Sequence, residues 1–407
     1  MTDDPYAVRL EELLRDEWGR LMALLVAQYR RLELAEDGLA DAFEAAARTW
    51  PDDGVPGNPP AWLLTVARRR VVDRLRAEAV AARRMPELAV EAGLSEEAQR
   101  TMADAGEVVV DERLRLVLLC AHPSLSPEAA AALTLRLVLG VPTADIARLF
   151  LVGTPTMAAR LTRARKSLAG ERFAVPSGPE LEERVWLVAD VAYLAFTAGY
   201  APGSGTDVLR ADVAGEAIRL VRVLRSLLPD RFTDLDALLA LMLVQHARRD
   251  ARVADGRLVL LPDQDRSRWH HDEAAEALAL LVPLASAPAT PYLLQALIAA
   301  EHAIAPTSAA TDWARIAERY RELEDLTGSP VVRLNRAVAV AEADGPAAGL
   351  ALLDGLVLPG HRLPAVRAEL LARCGELDAA RTAYDEAVGR CGNLAEKAHL
   401  IERRARL

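Results

Sequence analysis

Residues 139–168 read LGVPTADIARLFLVGTPTMAARLTRARKSL. Gly140 stops the helix before it, Thr143 caps a short helix reaching Phe150, and the run from Thr154 opens a longer one. Two short helices joined by a tight connection form a helix-turn-helix. In the second of them Met157, Leu161, Ala164 and Leu168 share one face, while Arg160, Arg163 and Lys166 take much of the remainder. An apolar face inward and cations outward suit a helix in a DNA major groove, where arginine grips phosphates or guanine edges. The same pattern describes a surface helix with solvated arginines, so periodicity alone leaves both readings open.

Just upstream, Ser126-Pro127-Glu128 is a helix start with a capping hydroxyl, a proline in the first turn and an early carboxylate, and the unit it belongs to begins near Val110. Before that lies an acidic stretch. Pro86 to Glu112 holds eight acidic residues and only Arg100, whereas Arg68 to Arg84 carries seven arginines against Asp73 and Glu78. The sign of charge therefore alternates along the chain, and any DNA contact must come from local patches, because the net charge is -10. Nearer the N-terminus, Val8–Arg30 and Leu34–Thr49 read as amphipathic helices, a Pro/Gly-rich loop covers 51–60, and a third helix from Ala61 sets Leu64, Ala67, Val71 and Leu75 against faces filled by arginine.

At 407 residues the chain divides into two to four domains at about 100 to 200 residues each. With 52% hydrophobic but only 4% aromatic residues, it is expected to be all-α, packed through small and medium side chains. Three scattered cysteines, Cys120, Cys374 and Cys391, supply neither a disulfide framework nor a four-ligand zinc site, which suits a reducing cytoplasm. No apolar run approaches the ~20 residues a bilayer span needs, and the N-terminus lacks an export signal.

Beyond 176 the chain is again helical, with loops at Tyr200–Gly205, Pro229–Thr233, Asp255–His270 and Ala305–Thr311 and a small hairpin expected after Asp255-Gly256. Ala337, Gly349, Leu353 and Leu356 recur as Ala368, Ala380, Tyr384 and Ala387, so AELLARCGELDAARTAYDEAV (368–388) reads as one unit of a helical repeat. In DQDRSRWHH, Asp263, Asp265, Arg266, Arg268 and Trp269 gather charge and an aromatic on one loop, a candidate ligand site or a clasp held by internal ion pairs. Glu301-His302, Cys120 with His122, and His270-His271 read as structural, since no convergent nucleophile, base and orienting group accompanies them. No metal, cofactor or catalytic residue is expected.

The string 139–168 resembles the sigma-4 domain of the extracytoplasmic-function sigma factors, members of the sigma-70 family. AEDGLADAFEAAARTW (35–50) resembles the polymerase-binding helix of sigma-2, and NPPAWLLTVARRRVVDRLR (58–76) its -10-reading helix. The resemblance implies sigma-2 over 1–85, an acidic linker over 86–109, sigma-4 over 110–175 and a tetratricopeptide-like extension over 176–407. It implies core RNA polymerase and promoter DNA as partners, with Asp37, Asp41 and Phe43 toward the polymerase clamp. Asn58, Trp62, Arg69, Arg70, Asp73 and Arg74 would face the -10 element, and Thr154, Thr156, Arg160, Arg163 and Lys166 the -35 element. Ala40, Arg69 and Leu151 depart from residues common in the family.

DERLRLVLLCAHPSLSPEAAAALTLRLVLG (111–140), YLAFTAGYAPGSG (193–205), LLPDQDRSRW (260–269), YLLQALIAAEHA (292–303), TDWARIAERY (311–320) and SPVVRLNRAVAVAE (329–342) resemble one sigma subgroup, in which the extension takes part in regulation. Small DGPF- or YCII-related proteins are its usual companions and so candidate partners. Two other readings compete: a stand-alone helix-turn-helix regulator with a ligand-sensing helical domain, and an enzyme built around the 263–269 loop.

Overall fold

The structure, a computed structural model, describes residues 5–81, 107–150, 152–200, 211–228, 232–254 and 257–407. Most of the acidic linker, Arg83, Arg84, Leu151, the loop residues 201–205 and 229–231, and the Asp255-Gly256 turn lie outside the described residues. Two compact units emerge, one of residues 1–192 with 226–228, the other of 193–225 with 229–407. Among the described residues the only sheet is a two-stranded hairpin, β1 (Val253–Ala254) against β2 (Arg257–Leu258), so the fold is all-α as the composition predicts. No helix among the described residues is long and apolar enough to cross a membrane.

The first unit opens with α1 (Pro5–Tyr29), α2 (Leu32–Asp53) and α3 (Pro59–Ala81). Burial of Leu21, Met22, Leu25, Leu39, Trp50, Leu63 and Leu64 ties these three together, each helix giving the apolar stripe its 3.6-residue period dictates. Helix α2 runs past Pro51, so the break expected over 51–60 shrinks to 54–58, closed by the Asn58 carboxamide accepting from Ala61 N (3.2 Å). Among the described residues four more helices follow: α4 (Glu107–Cys120), α5 (Pro127–Leu137), α6 (Thr143–Leu149) and α7 (Thr154–Ser167). Ser126 Oγ caps α5 as its sequence demands, accepting from Ala129 N. Thr143 does not cap α6, because Pro142 occupies that place and Thr143 is already helical.

Helix α1 packs on α4 as well as on α2 and α3, so both helical groups share a core. Gly19 lies at a close approach between them: a Cβ there would lie 2.3 Å from the Val138 carbonyl oxygen. At the other end of α1, Arg30 takes a left-handed turn (φ 56°), donates to the Phe173 carbonyl (3.2 Å) and stands over the Phe173 ring.

In the second unit, α8 (Pro179–Tyr200) enters from the first and is followed by α9 (Ala211–Leu227), α10 (Thr233–His246), α11 (His271–Leu281), α12 (Pro291–Ile304) and α13 (Trp313–Thr327). Then come α14 (Pro330–Ala343), α15 (Pro346–Ala351), α16 (Arg362–Arg373), α17 (Leu377–Arg390) and α18 (Leu394–Ala405). Consecutive helices pair as antiparallel neighbours, α13 with α14, α14 with α15 and α16 with α17. The repeat read from the sequence falls on two of these pairs. Ala337, Gly349, Leu353, Ala368, Ala380, Tyr384 and Ala387 are all buried at the helix contacts.

Gly349 shows why small residues recur there, since a Cβ would sit 2.4 Å from the Ala337 carbonyl oxygen and 2.6 Å from Ala341 Cβ. Gly349→Ala is expected to destabilise the extension by about 2 kcal/mol, the range of an overpacked core. Chemical denaturation followed by circular dichroism checks it, and unchanged stability would mean that α14 and α15 are not in close contact.

Candidate nucleic-acid interface

Helix α7 carries out the division of labour its sequence prescribes. Met157, Leu161, Ala164 and Leu168 are 0–4% exposed and pack toward α5 and α6, while Thr154, Thr156, Arg163 and Lys166 are exposed and Arg160 is half-buried over the Phe150 ring. Among the described residues Arg163 is held only along its own helix, its Nε donating to the Ala159 carbonyl (3.3 Å). A guanidinium braced on its own backbone and an ammonium in solvent stand ready for phosphate or base edges.

Arg165, one residue from Lys166, is different. It turns inward and, with Arg136 of α5, binds the carboxylate of Glu36 on α2. Arg136 Nε donates to Glu36 Oε1 (2.6 Å), Arg165 Nη2 to Oε2, and the Arg136 guanidinium also lies over the Trp18 ring of α1. Glu36 is only 6% exposed, and two guanidiniums with their hydrogen bonds stand where water would otherwise solvate its carboxylate. Close by, Cys120 is wholly buried, and that burial pushes its thiol well above the ordinary range. It is a packing residue.

The arginine-rich helix α3 presents Arg69, Arg70 and Asp73 to solvent and buries Arg68. Trp62 is half-buried and meets Trp50 edge to face (5.4 Å between centroids). Arg74 reaches across to α2, with Nη1 2.7 Å from Asp37 Oδ2 and Nη2 3.1 Å from Asp41 Oδ2. The acidic pair and the arginine, assigned separately from sequence, thus form one cluster. Phe43 is buried against Trp18 (5.8 Å between centroids), the position of a core residue.

The 263–269 loop is a clasp. Asp265 caps its turn by accepting from Ser267 N (2.9 Å) and Oγ (2.7 Å), which together hold its carboxyl below the usual range. Arg266 donates to the carbonyls of His302 and Ala305 (2.7 Å each) and stacks on buried Trp269 (4.6 Å). Asp263 and Arg268 remain exposed on the rim. Glu301 pairs with Arg315 and Arg319 (3.3 Å each), and His270 Nε2 with Asp250 (2.7 Å).

Among the described residues, His361, Cys391 and Glu396 bring possible metal-ligand atoms within 4.8 Å of one another. His361 Nε2 already meets Glu396 (3.0 Å) and Cys391 Sγ donates to the Asn393 carbonyl (3.4 Å), a set that pins α18 to the start of α16 without further help.

A helix-turn-helix with a free cationic face, joined to a three-helix unit ending in a second arginine-rich helix, defines a helical DNA-binding transcription protein. Residues 13–80 match the model of sigma-70 region 2 and residues 115–168 that of sigma-70, region 4. Residues 184–285 match a family of unknown function (DUF6596). An uncharacterised protein of Rhizobium meliloti (strain 1021) is 39% identical over 393 residues, covering 93% of this chain and 91% of that protein. No solved structure matches. The chain belongs to the sigma-70 family, as a sigma factor that directs RNA polymerase to promoters and carries a helical C-terminal extension. Its combination of region 2 with region 4 fits the extracytoplasmic-function type.

Proposed function

We propose that initiation by this sigma factor runs through three surfaces and is governed by the extension. Helix α7 enters the -35 major groove with Thr154 and Thr156 leading and Arg160, Arg163 and Lys166 on the flanking phosphates and base edges. Helix α3 offers Arg69, Arg70 and Asp73 to the -10 element, with Asn58 fixing the helix start and Trp62 beside it. Asp37 and Asp41 face the polymerase clamp, Arg74 holding the two carboxylates in register and Phe43 supporting them from the core. The working domains are 1–85, the linker 86–109, 110–175 and the extension 176–407.

The observation that carries this reading is the exposed cationic side of α7 opposite a fully buried apolar side. Arginines supply the salt-dependent grip and pocketed bases the sequence preference, so no covalent chemistry is required of the chain. The extension controls that activity, and the small DGPF- or YCII-related proteins named by the resemblance are the partners to test on it.

In vitro transcription with core polymerase decides the matter. The full chain is expected to give promoter-dependent run-off product and to co-elute with core, and a form ending at Pro176 to bind core with altered output. A full chain that never associates with core overturns the proposal. Equal output from both forms removes the regulatory role of the extension.

A further inference from the structure

Between α10, α12, α13, α14 and the start of α16 the second unit forms a cavity of about 550 Å³ that is open to solvent on one side. That volume is in the range of small-ligand sites. Its polar wall is built by Gln245, Arg248, Gln295, His302, Asn335 and Arg362. Among the described residues none that lines it is Asp or Glu, in a chain with 59 of them and a net charge of -10. The charged side chains among its described lining are both arginines, Arg248 and Arg362, in a protein of net negative charge.

The wall groups differ in how far the fold has used them. Gln295 accepts from Tyr193 Oη (3.1 Å) and donates to the Pro291 carbonyl (3.0 Å), and Arg248 donates to Gln245 and lies over the Trp269 ring. These contacts set the wall in place. Asn335 and Arg362, by contrast, are exposed to the cavity mouth and make no hydrogen bond or ion pair among the described residues. His302 stands edge to face on Trp313 (5.2 Å between centroids). Burial first, then the charges of Arg248 and Arg266, bring its imidazole down to about 4, so at neutral pH it is an uncharged donor and acceptor under positive potential.

We propose that this cavity binds a small organic anion carrying carboxylate groups, its charge taken by Arg248 and Arg362 and its remaining polar atoms by the carboxamides and His302. Two guanidiniums match carboxylate geometry, and a neutral imidazole with three carboxamides satisfies hydroxyl or carbonyl groups of either polarity. An apolar ligand would leave Asn335 and Arg362 without a partner in the cavity, and a cationic one would meet two like charges.

Isothermal titration of the full chain with citrate, succinate and inorganic phosphate tests the assignment. Saturable binding of citrate or succinate is expected, with phosphate at least tenfold weaker and with affinity falling at least tenfold in the Asn335→Ala/Arg362→Ala double variant. Both positions are exposed, and an unchanged circular dichroism spectrum of that variant certifies its fold. No saturable carboxylate binding, phosphate binding as tight as citrate, or binding that survives the double variant overturns the proposal. Because the assay contains neither polymerase nor DNA, its failure is independent of the promoter assignments above.

Discussion

Replacing Arg163 and Lys166 together by alanine is expected to reduce promoter-specific transcription by about 30-fold or more while leaving the protein folded. The size follows from the roles assigned to them: an arginine on a base edge is worth about 1–3 kcal/mol, and a lysine on a phosphate adds a further salt-dependent share. Neither side chain contributes to the core, since Arg163 and Lys166 are both exposed. The unfolding midpoint is thus expected to stay within a degree or two of the parent, in keeping with surface changes. The variant should also show a salt dependence of promoter binding shallower by about one unit of slope for each phosphate it no longer neutralises. Full transcription from the double variant would place the -35 grip elsewhere on the molecule.

The contrast between Arg163 and Arg165 shows where sequence reading stops. The stripe Met157, Leu161, Ala164 and Leu168 is legible because burial follows a 3.6-residue period, and all four are buried. Arg165 lies in the same cationic run as its neighbours, yet its partner Glu36 is 129 residues away, and no local pattern encodes so distant a pairing. Arg74 likewise points to DNA by its place in an arginine-rich helix, while its guanidinium lies between Asp37 and Asp41. The 263–269 loop stands out by its concentration of charge, but direction is a tertiary property, and Arg266 and Trp269 face inward. Lone carboxamides in apolar helices, Gln245 in LLALMLVQHA and Gln295 in YLLQALIAA, are a visible signal of the cavity. Its meaning depends on helices converging from five places in the chain.

Glu36→Ala is expected to cost the first unit about 3–5 kcal/mol, the penalty that follows when one member of a buried ion network is removed and its partners stay behind. Arg136 and Arg165 would be left as two neighbouring cations, 18% and 14% exposed, with no carboxylate between them. Separation of the helical groups would relieve that repulsion. Glu36→Ala is accordingly expected to speed amide exchange in α1, α4 and α5 of the free protein, and Glu36→Gln, which keeps an acceptor, to do so less. In an Arg165→Ala background the same change should cost markedly less, because one stranded charge is already gone. Parent-like exchange in Glu36→Ala would show that α1, α4 and α5 hold together without the carboxylate.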